Sequence, residues 1–199
     1  LNDWGFTNVH CVKEQMETNG DFPFAKKPNP EEKECLEPGI DLMVKEKADV
    51  LIATDPDADR LGVVINHKGS PKLLSGNNLA CLLLDHILSS LEKHDKLPKD
   101  AAVIKSLVTT ELFRKIASSY QKPTFNVLTG FKYIAEKIRN WESGKEDYQF
   151  LFGAEESSGF LRGTLVRDKD AISISCIFAE MALQEKKKKK TLLQKLYDL

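Results

Sequence analysis

The sequence predicts an α/β protein of two domains, each alternating strands and helices around a sheet. Short apolar, β-rich runs such as "DVLIAT" are bounded by turn residues, and stretches with apolar residues at helical spacing lie between them. The whole pattern restarts after "HDKLPKD". At 199 residues the chain can hold one large domain or two of about 100 residues, each able to bury a core.

The elements follow in order. "NGDFPFAKKPNPEE" is a Gly- and Pro-rich loop, and Pro30-Glu31-Glu32 has the chemistry of a helix start, with proline in the first turn and acids at the positive end of the dipole. The helix after it is expected to break at Pro38-Gly39 and to resume through Ile40, Met43, Val44 and Ala48. "DVLIAT" reads as a buried strand ending where the aspartates begin. "RLGVVINHKGS" reads as a second, closing in a Lys68-Gly69-Ser70 turn. Leu79, Leu82, Leu83, His86 and Ile87 mark the apolar face of an amphipathic helix. Pro98 marks the boundary, giving domains 1–98 and 99–199. Beyond it "AAVIKSL", "TFNVL" and "YQFLFGAE" read as strands, with "TTELFRKIASSY" and "TGFKYIAEKIRNW" as the helices between them. The run Lys186 to Lys190 reads as a solvated helix end or loop.

Composition narrows the function. Lysine and arginine total 29 against 30 acidic residues, a net charge of −1, which argues against a general nucleic-acid binder. Phosphorylated small molecules need only local basic groups and stay compatible. Cys11, Cys35, Cys81 and Cys176 show no CxxC spacing, so they read as reduced residues of a cytoplasmic protein rather than a zinc site or redox pair. No apolar stretch approaches the roughly 20 residues of a membrane span, so a soluble chain without a membrane partner is expected. The chain opens on Leu1 rather than Met and closes on the helix-like "LLQKLYDL", as a piece of a longer protein would.

"LIATDPDADRLGVV" crowds Asp55, Asp57 and Asp59 into five residues and follows them with Arg60. Like charges this close repel by very roughly a kcal/mol or more per pair, so the loop costs stability unless a cation or hydrogen-bond donors neutralise it. A loop just past the carboxyl end of a buried strand is where open α/β sheets place ligands. Magnesium, which takes carboxylates together with phosphate oxygens, fits the three aspartates. An EF-hand calcium loop does not, because its sixth and twelfth positions would be Arg60 and Asn66 instead of Gly and Glu. A haloacid-dehalogenase-type phosphatase with Asp55 as nucleophile is an alternative, although the third Asp and the Arg depart from that pattern. A solvated surface turn is another.

"LFGAEESSGFLRG" sets Glu155, Glu156, Ser157 and Ser158 between Gly153 and Gly159 after an apolar strand. Carboxylate and hydroxyl side by side suit the hydroxyls of a sugar, and an ordinary turn would show the same residues. Taken together, "DPDADR", "LTGFKYI", "GAEESSG" and "VRDKDA", in this order, resemble the α-D-phosphohexomutase superfamily of phosphoglucomutases and phosphomannomutases. The resemblance covers essentially the whole chain, and "PNPEE" and "LSGNNLACLLLDHIL" are similar to its phosphoglucomutase and phosphopentomutase-like branch.

The resemblance implies two consecutive three-layer α/β/α domains with mixed sheets, the second and third of a four-domain enzyme. That enzyme moves a phosphoryl group between the 1-position and the terminal hydroxyl carbon of a sugar through a bisphosphate, with glucose 1,6-bisphosphate as the type of activator. It implies magnesium held by Asp55, Asp57, Asp59 and a phosphoserine on the first domain. Arg60 then matches the basic residue beside the metal loop, Glu155 and Ser157 match the sugar-contacting loop, and Lys169 matches an acid/base or phosphate contact. Lys105 and Lys132 could also approach substrate, the latter at a helix start that favours anions.

Three residues depart from the pattern. Ala171 and Ala154 stand where relatives have Gly. Phe160 stands where phosphomannomutase-type enzymes often have His, which disfavours that branch; glucose phosphate is the expected substrate class, with mannose and pentose phosphates left open. No Ser-His-Asn-Pro-type phosphoserine loop and no Arg-x-Ser-Gly-Thr-type phosphate clamp occurs in the sequence. The chain is therefore expected to carry recognition and metal chemistry without the nucleophile and to be inactive without the remaining domains of its parent. A non-catalytic sugar-phosphate-binding module is the further alternative.

Overall fold

A computed structural model of the chain describes residues 1–25 and 27–199. After two single-turn 3-10 helices at Asn2–Trp4 and Lys13–Gln15, the first long element is α1, Lys33–Lys45. It packs on β1, Val50–Thr54. The break expected at Pro38-Gly39 does not occur, and α1 runs through both residues to end short of Ala48. The proline ring already has a helical φ, and the amide it lacks would have met the carbonyl of Glu34 in the first turn, so the loss falls near the helix end. Gly39 is a packing residue here, since a Cβ would stand 2.6 Å from Leu51 Cδ1.

β1 pairs antiparallel with β2, Leu61–His67, and β2 with β3, Ser70–Leu74. Lys68 and Gly69 turn the second hairpin with φ of 53° and 85°, the two-residue turn that matches strand twist. Pro71 had hidden β3 in the sequence. It is tolerated because β3 is an edge strand, where a missing amide costs no ladder bond. Alternate residues of β2 face opposite sides: Val64 joins Leu36 and Met43 of α1, whereas Leu61, Val63 and Ile65 enter the main core.

The second sheet has the order β5-β4-β6-β7, from β4 (Ala101–Ser106), β5 (Thr124–Val127), β6 (Gln149–Glu155) and β7 (Gly159–Arg162). β4 runs parallel to β5 and β6, and β7 returns antiparallel, so this sheet is mixed while the first is wholly antiparallel. All of β4 is buried. Its Ala102 and Ile104 meet Phe131, Ile134, Ile138 and Trp141 of α4, Phe131–Glu142. Ala101 and Val103 face the main core, shared with α2 (Gly76–Lys93), α3 (Glu111–Ser119), α5 (Ala171–Lys187) and α6 (Leu192–Tyr197). Helices thus cover both faces, giving the three layers.

α2 precedes Pro98 yet packs on α3, α5, α6 and β6, so its apolar face belongs with the second sheet. The connection at Pro98 links two elements of one packing unit, and the main core also takes in β2 and Leu74 of β3. The lysine run caps α5. Lys186 pairs with Asp49, Lys188 with Glu185 and Lys190 with Asp198.

Candidate functional site

The turn from β1 to β2 is built by its own first aspartate. Asp55 Oδ1 accepts the amides of Asp59 and Arg60, each at 3.0 Å, which folds the loop back on itself. Ala58 takes a left-handed conformation, φ 56°, and its carbonyl accepts the Ala171 amide at 3.0 Å. Ala171 opens α5, whose N-cap Asp170 accepts the amides of Ile172 and Ser173. A helix start therefore braces the strained position of the loop.

Ligand oxygens of Asp55, Asp57 and Asp59 come within 4.8 Å of one another. Burial raises the Asp55 pKa above the usual carboxylate value, opposed by its bond to the Arg60 amide and reinforced by Asp59 and Asp57. Arg60 Nε lies 3.9 Å from both Asp55 Oδ2 and Asp59 Oδ1. Asp59 Oδ1 is nevertheless buried without a hydrogen-bond partner among the described residues. An unpartnered buried carboxylate oxygen beside two further carboxylates is an all-oxygen donor set of the kind hard divalent cations prefer, so these residues fit magnesium.

Lys169 joins the same cluster from the loop before α5. Its Nζ is 2.9 Å from Asp59 Oδ2 and 2.9 Å from Asp168 Oδ1, and it lies over the Phe131 ring at 5.4 Å. Burial works to lower the Lys169 pKa, but the bonds to Asp59 and Asp168 raise it above the ordinary lysine value, holding the group as an ammonium.

The β6–β7 turn lies against this cluster. Leu61 donates its amide to the Ser158 carbonyl at 3.0 Å, and Arg60 bridges Gly159. Glu155 is buried with Oε1 accepting the Gly130 amide at 2.7 Å, and Ser157 is half-buried in the turn itself. The structure thus brings Asp55, Asp57, Asp59, Arg60, Lys169, Glu155 and Ser157 to one region.

Sequence reasoning missed the residues that seat this turn. Ser106 Oγ donates to Glu156 Oε2 at 2.7 Å and shares a hydrogen bond with Thr109 at 2.8 Å. Asn77 accepts the Thr110 amide at 2.8 Å. Ser158 Oγ donates to Glu31 Oε1 at 3.2 Å, across most of the chain. Gly76 has no room for a Cβ, which would stand 2.7 Å from the Ser158 amide nitrogen. Glu31 lies in "PNPEE" and Gly76 and Asn77 in "LSGNNLACLLLDHIL", stretches that carried the resemblance, but none of them stood out as a contact of this turn.

Two sequence candidates are placed elsewhere. Lys105 is fully buried in β4, with Nζ donating to the Thr109 carbonyl at 2.8 Å and lying 3.0 Å from Glu111 Oε1. Its side chain ties the loop after β4, and its burial follows from β4 being the strand covered on both sides. Lys132 is exposed on α4, with its Nζ over the Tyr133 ring at 5.0 Å, and lines an open cleft of about 550 Å³ with Arg139, Arg167 and Asp168. Among the described residues it makes no ion pair with the loop aspartates.

Residues 75–199 match the alpha/beta/alpha domain III of the phosphoglucomutase/phosphomannomutase family, and residues 1–69 match its domain II. The chain belongs to this family. The two matches meet between residues 69 and 75, ahead of α2, in keeping with the packing of that helix. A phosphoglucomutase of Staphylococcus epidermidis is 36% identical over 200 residues, covering all of this chain and 35% of that protein. A phosphoglucomutase/phosphomannomutase family protein from Burkholderia thailandensis superposes with a TM-score of 0.65 at 20% identity, over 84% of this chain and 33% of that one. Aspergillus fumigatus N-acetylphosphoglucosamine mutase, in complex with GlcNAc-6P and magnesium, gives a TM-score of 0.50 at 16% identity, over 73% of this chain and 34% of that one. The chain spans about a third of the length of the curated relatives it matches. Among the described residues no helix is long and apolar enough to cross a membrane.

Proposed function

We propose that this chain is the metal- and sugar-binding part of a magnesium-dependent phosphosugar mutase acting on glucose phosphate. The observation that carries the reading is the convergence of Asp55, Asp57 and Asp59 around a buried, unpartnered Asp59 oxygen, beside a glutamate–serine turn. Asp55, Asp57 and Asp59 would hold the cation, which when bound neutralises charge on transferring phosphoryl oxygens. Arg60 and the ammonium of Lys169 supply positive charge next to the cluster, where a phosphate is attracted and oriented. Lys169, kept protonated by two carboxylates, serves as a donor to phosphate or to a sugar oxygen. Glu155 and Ser157 receive sugar hydroxyls. Lys132 is at most a peripheral contact, and Lys105 supports the loop beside the turn.

The reaction runs through a sugar bisphosphate; its donor phosphoserine and a clamp for the second phosphate are assigned to the other domains of the parent, with a glucose 1,6-bisphosphate-type activator priming the serine. Phosphoryl transfer depends on positioning between donor and acceptor, so the chain alone does not turn over. Its cysteines are all free, which suits a reducing compartment such as the cytoplasm.

Phosphorus NMR of the chain with magnesium, glucose 1-phosphate and glucose 1,6-bisphosphate tests this. Neither isomerisation nor orthophosphate release is expected. Orthophosphate growing in, and disappearing with Asp55→Asn, would establish a phosphatase and overturn the reading.

A further inference from the structure

We propose that Gly159 is a positioning residue for the aspartate loop, its missing side chain being the gap through which Lys169 reaches Asp59. The proposal rests on the reading of that loop as a metal site. A Cβ on Gly159 would stand 3.0 Å from Lys169 Cγ and closer still to Cδ, so any side chain at this position would displace the lysine stem. The stem has little room to yield. The Asp170 amide bonds the Phe160 carbonyl at 2.8 Å and the Ala171 amide bonds the Ala58 carbonyl at 3.0 Å, fixing the backbone just beyond Lys169, while the side chain is only 14% exposed.

What the lysine does at the end of this path depends on how Asp59 divides its carboxylate. Oδ2 is taken by Lys169, and Oδ1 is left buried and unpartnered beside Asp55 and Asp57. Lys169 therefore holds Asp59 in the rotation that leaves one oxygen for a cation. Groups that orient a metal-binding side chain in this way commonly change metal affinity 10–100-fold when removed. Gly159 also opens β7 directly after Ser157 and Ser158, and its backbone bridges Arg60, so the gap lies where the sugar turn meets the metal loop.

The test is a double-mutant cycle on the 199-residue chain, with Mn2+ alone as the probe and free Mn2+ counted by electron paramagnetic resonance. Gly159→Ala and Lys169→Ala are each expected to weaken Mn2+ binding by roughly tenfold. The double variant is expected to bind no more weakly than Lys169→Ala, because alanine there has no Cγ or Cδ for the new methyl to meet. Losses that multiply would overturn the proposal, since Gly159 would then act through the backbone. Unchanged or tighter binding by Lys169→Ala would also overturn it, making the lysine a competitor of the cation. The same cycle in urea, without metal, reads the contact alone: Gly159→Ala lowers the unfolding midpoint when Lys169 is present and leaves it unchanged when Lys169 is replaced by alanine. If the unaltered chain bound no Mn2+, the metal reading and this proposal would both fail, while the urea cycle would still decide the contact.

Discussion

Replacing Asp170 by alanine removes both hydrogen bonds that close the start of α5, to the amides of Ile172 and Ser173 at 3.0 Å each. Loss of an N-cap costs about 1 kcal/mol, and loss of a carboxylate at the positive end of the dipole about 0.5 kcal/mol more. Together they predict about 1.5 kcal/mol, or roughly 3–6 °C in Tm for a chain of this size. The rest of α5 stays in place because Ala171, Ile174, Phe178 and Met181 are anchored in the core. Asp170→Asn keeps an acceptor oxygen and is expected to lose only the dipole part, about 0.5 kcal/mol. Urea unfolding followed by far-ultraviolet circular dichroism measures both. Asp170→Ala within about 0.5 kcal/mol of the unaltered chain, the range of an uninvolved surface change, would refute the capping argument. So would an asparagine variant as damaged as the alanine one.

Phe152 is fully buried and stacks against Phe113 and Phe160 at ring separations of 6.0 and 6.3 Å. Phe152→Ala should cost about 4 kcal/mol in the same unfolding assay. Burial, with the charge of Lys195 acting in the same direction, lowers the His86 pKa below the ordinary histidine value, outweighing the carboxylates of Glu180, Asp85 and Glu185. The unfolded chain therefore takes up a proton near pH 6.5 that the folded chain refuses, and the stability present above that pH falls on acidification. His86→Met should make that fall shallower, as read from urea midpoints on either side of about pH 6.5.

The legible parts of the fold were those where one local pattern decides the outcome. The run before Asp55 is apolar because β1 turns Leu51 and Ala53 toward α1 and Val50 and Ile52 toward the main core, and the spacing of Leu79, Leu82 and Leu83 survives because α2 buries a whole face. Elsewhere a long-range contact overrode the local rule. Pro38-Gly39 reads as a break, but Gly39 is required for the approach of Leu51, a residue outside the helix. β7 was hidden in what reads as a loop, since its strand character comes from pairing with β6.

The site divides in the same way. The aspartates are visible because three carboxylates in one turn have little reason to be there without a cation. The groups that seat the sugar turn, Glu31, Gly76 and Ser106, carry no local signature, because each acts on a loop distant in sequence. For Lys105 the sequence shows only a lysine at a strand end; its contacts with the Thr109 carbonyl and Glu111 come from the loop after β4, which local pattern does not place.

The central claim is that Asp55, Asp57 and Asp59 form a divalent-cation site. The most direct measurement is a magnesium titration of the chain followed by amide NMR at Asp59 and Arg60, the two donors to Asp55 Oδ1. Saturable shifts at these amides, abolished by Asp57→Asn while the rest of the spectrum keeps its folded dispersion, are the predicted result. Amides that do not respond, or that respond equally in the Asp57→Asn variant, would contradict it.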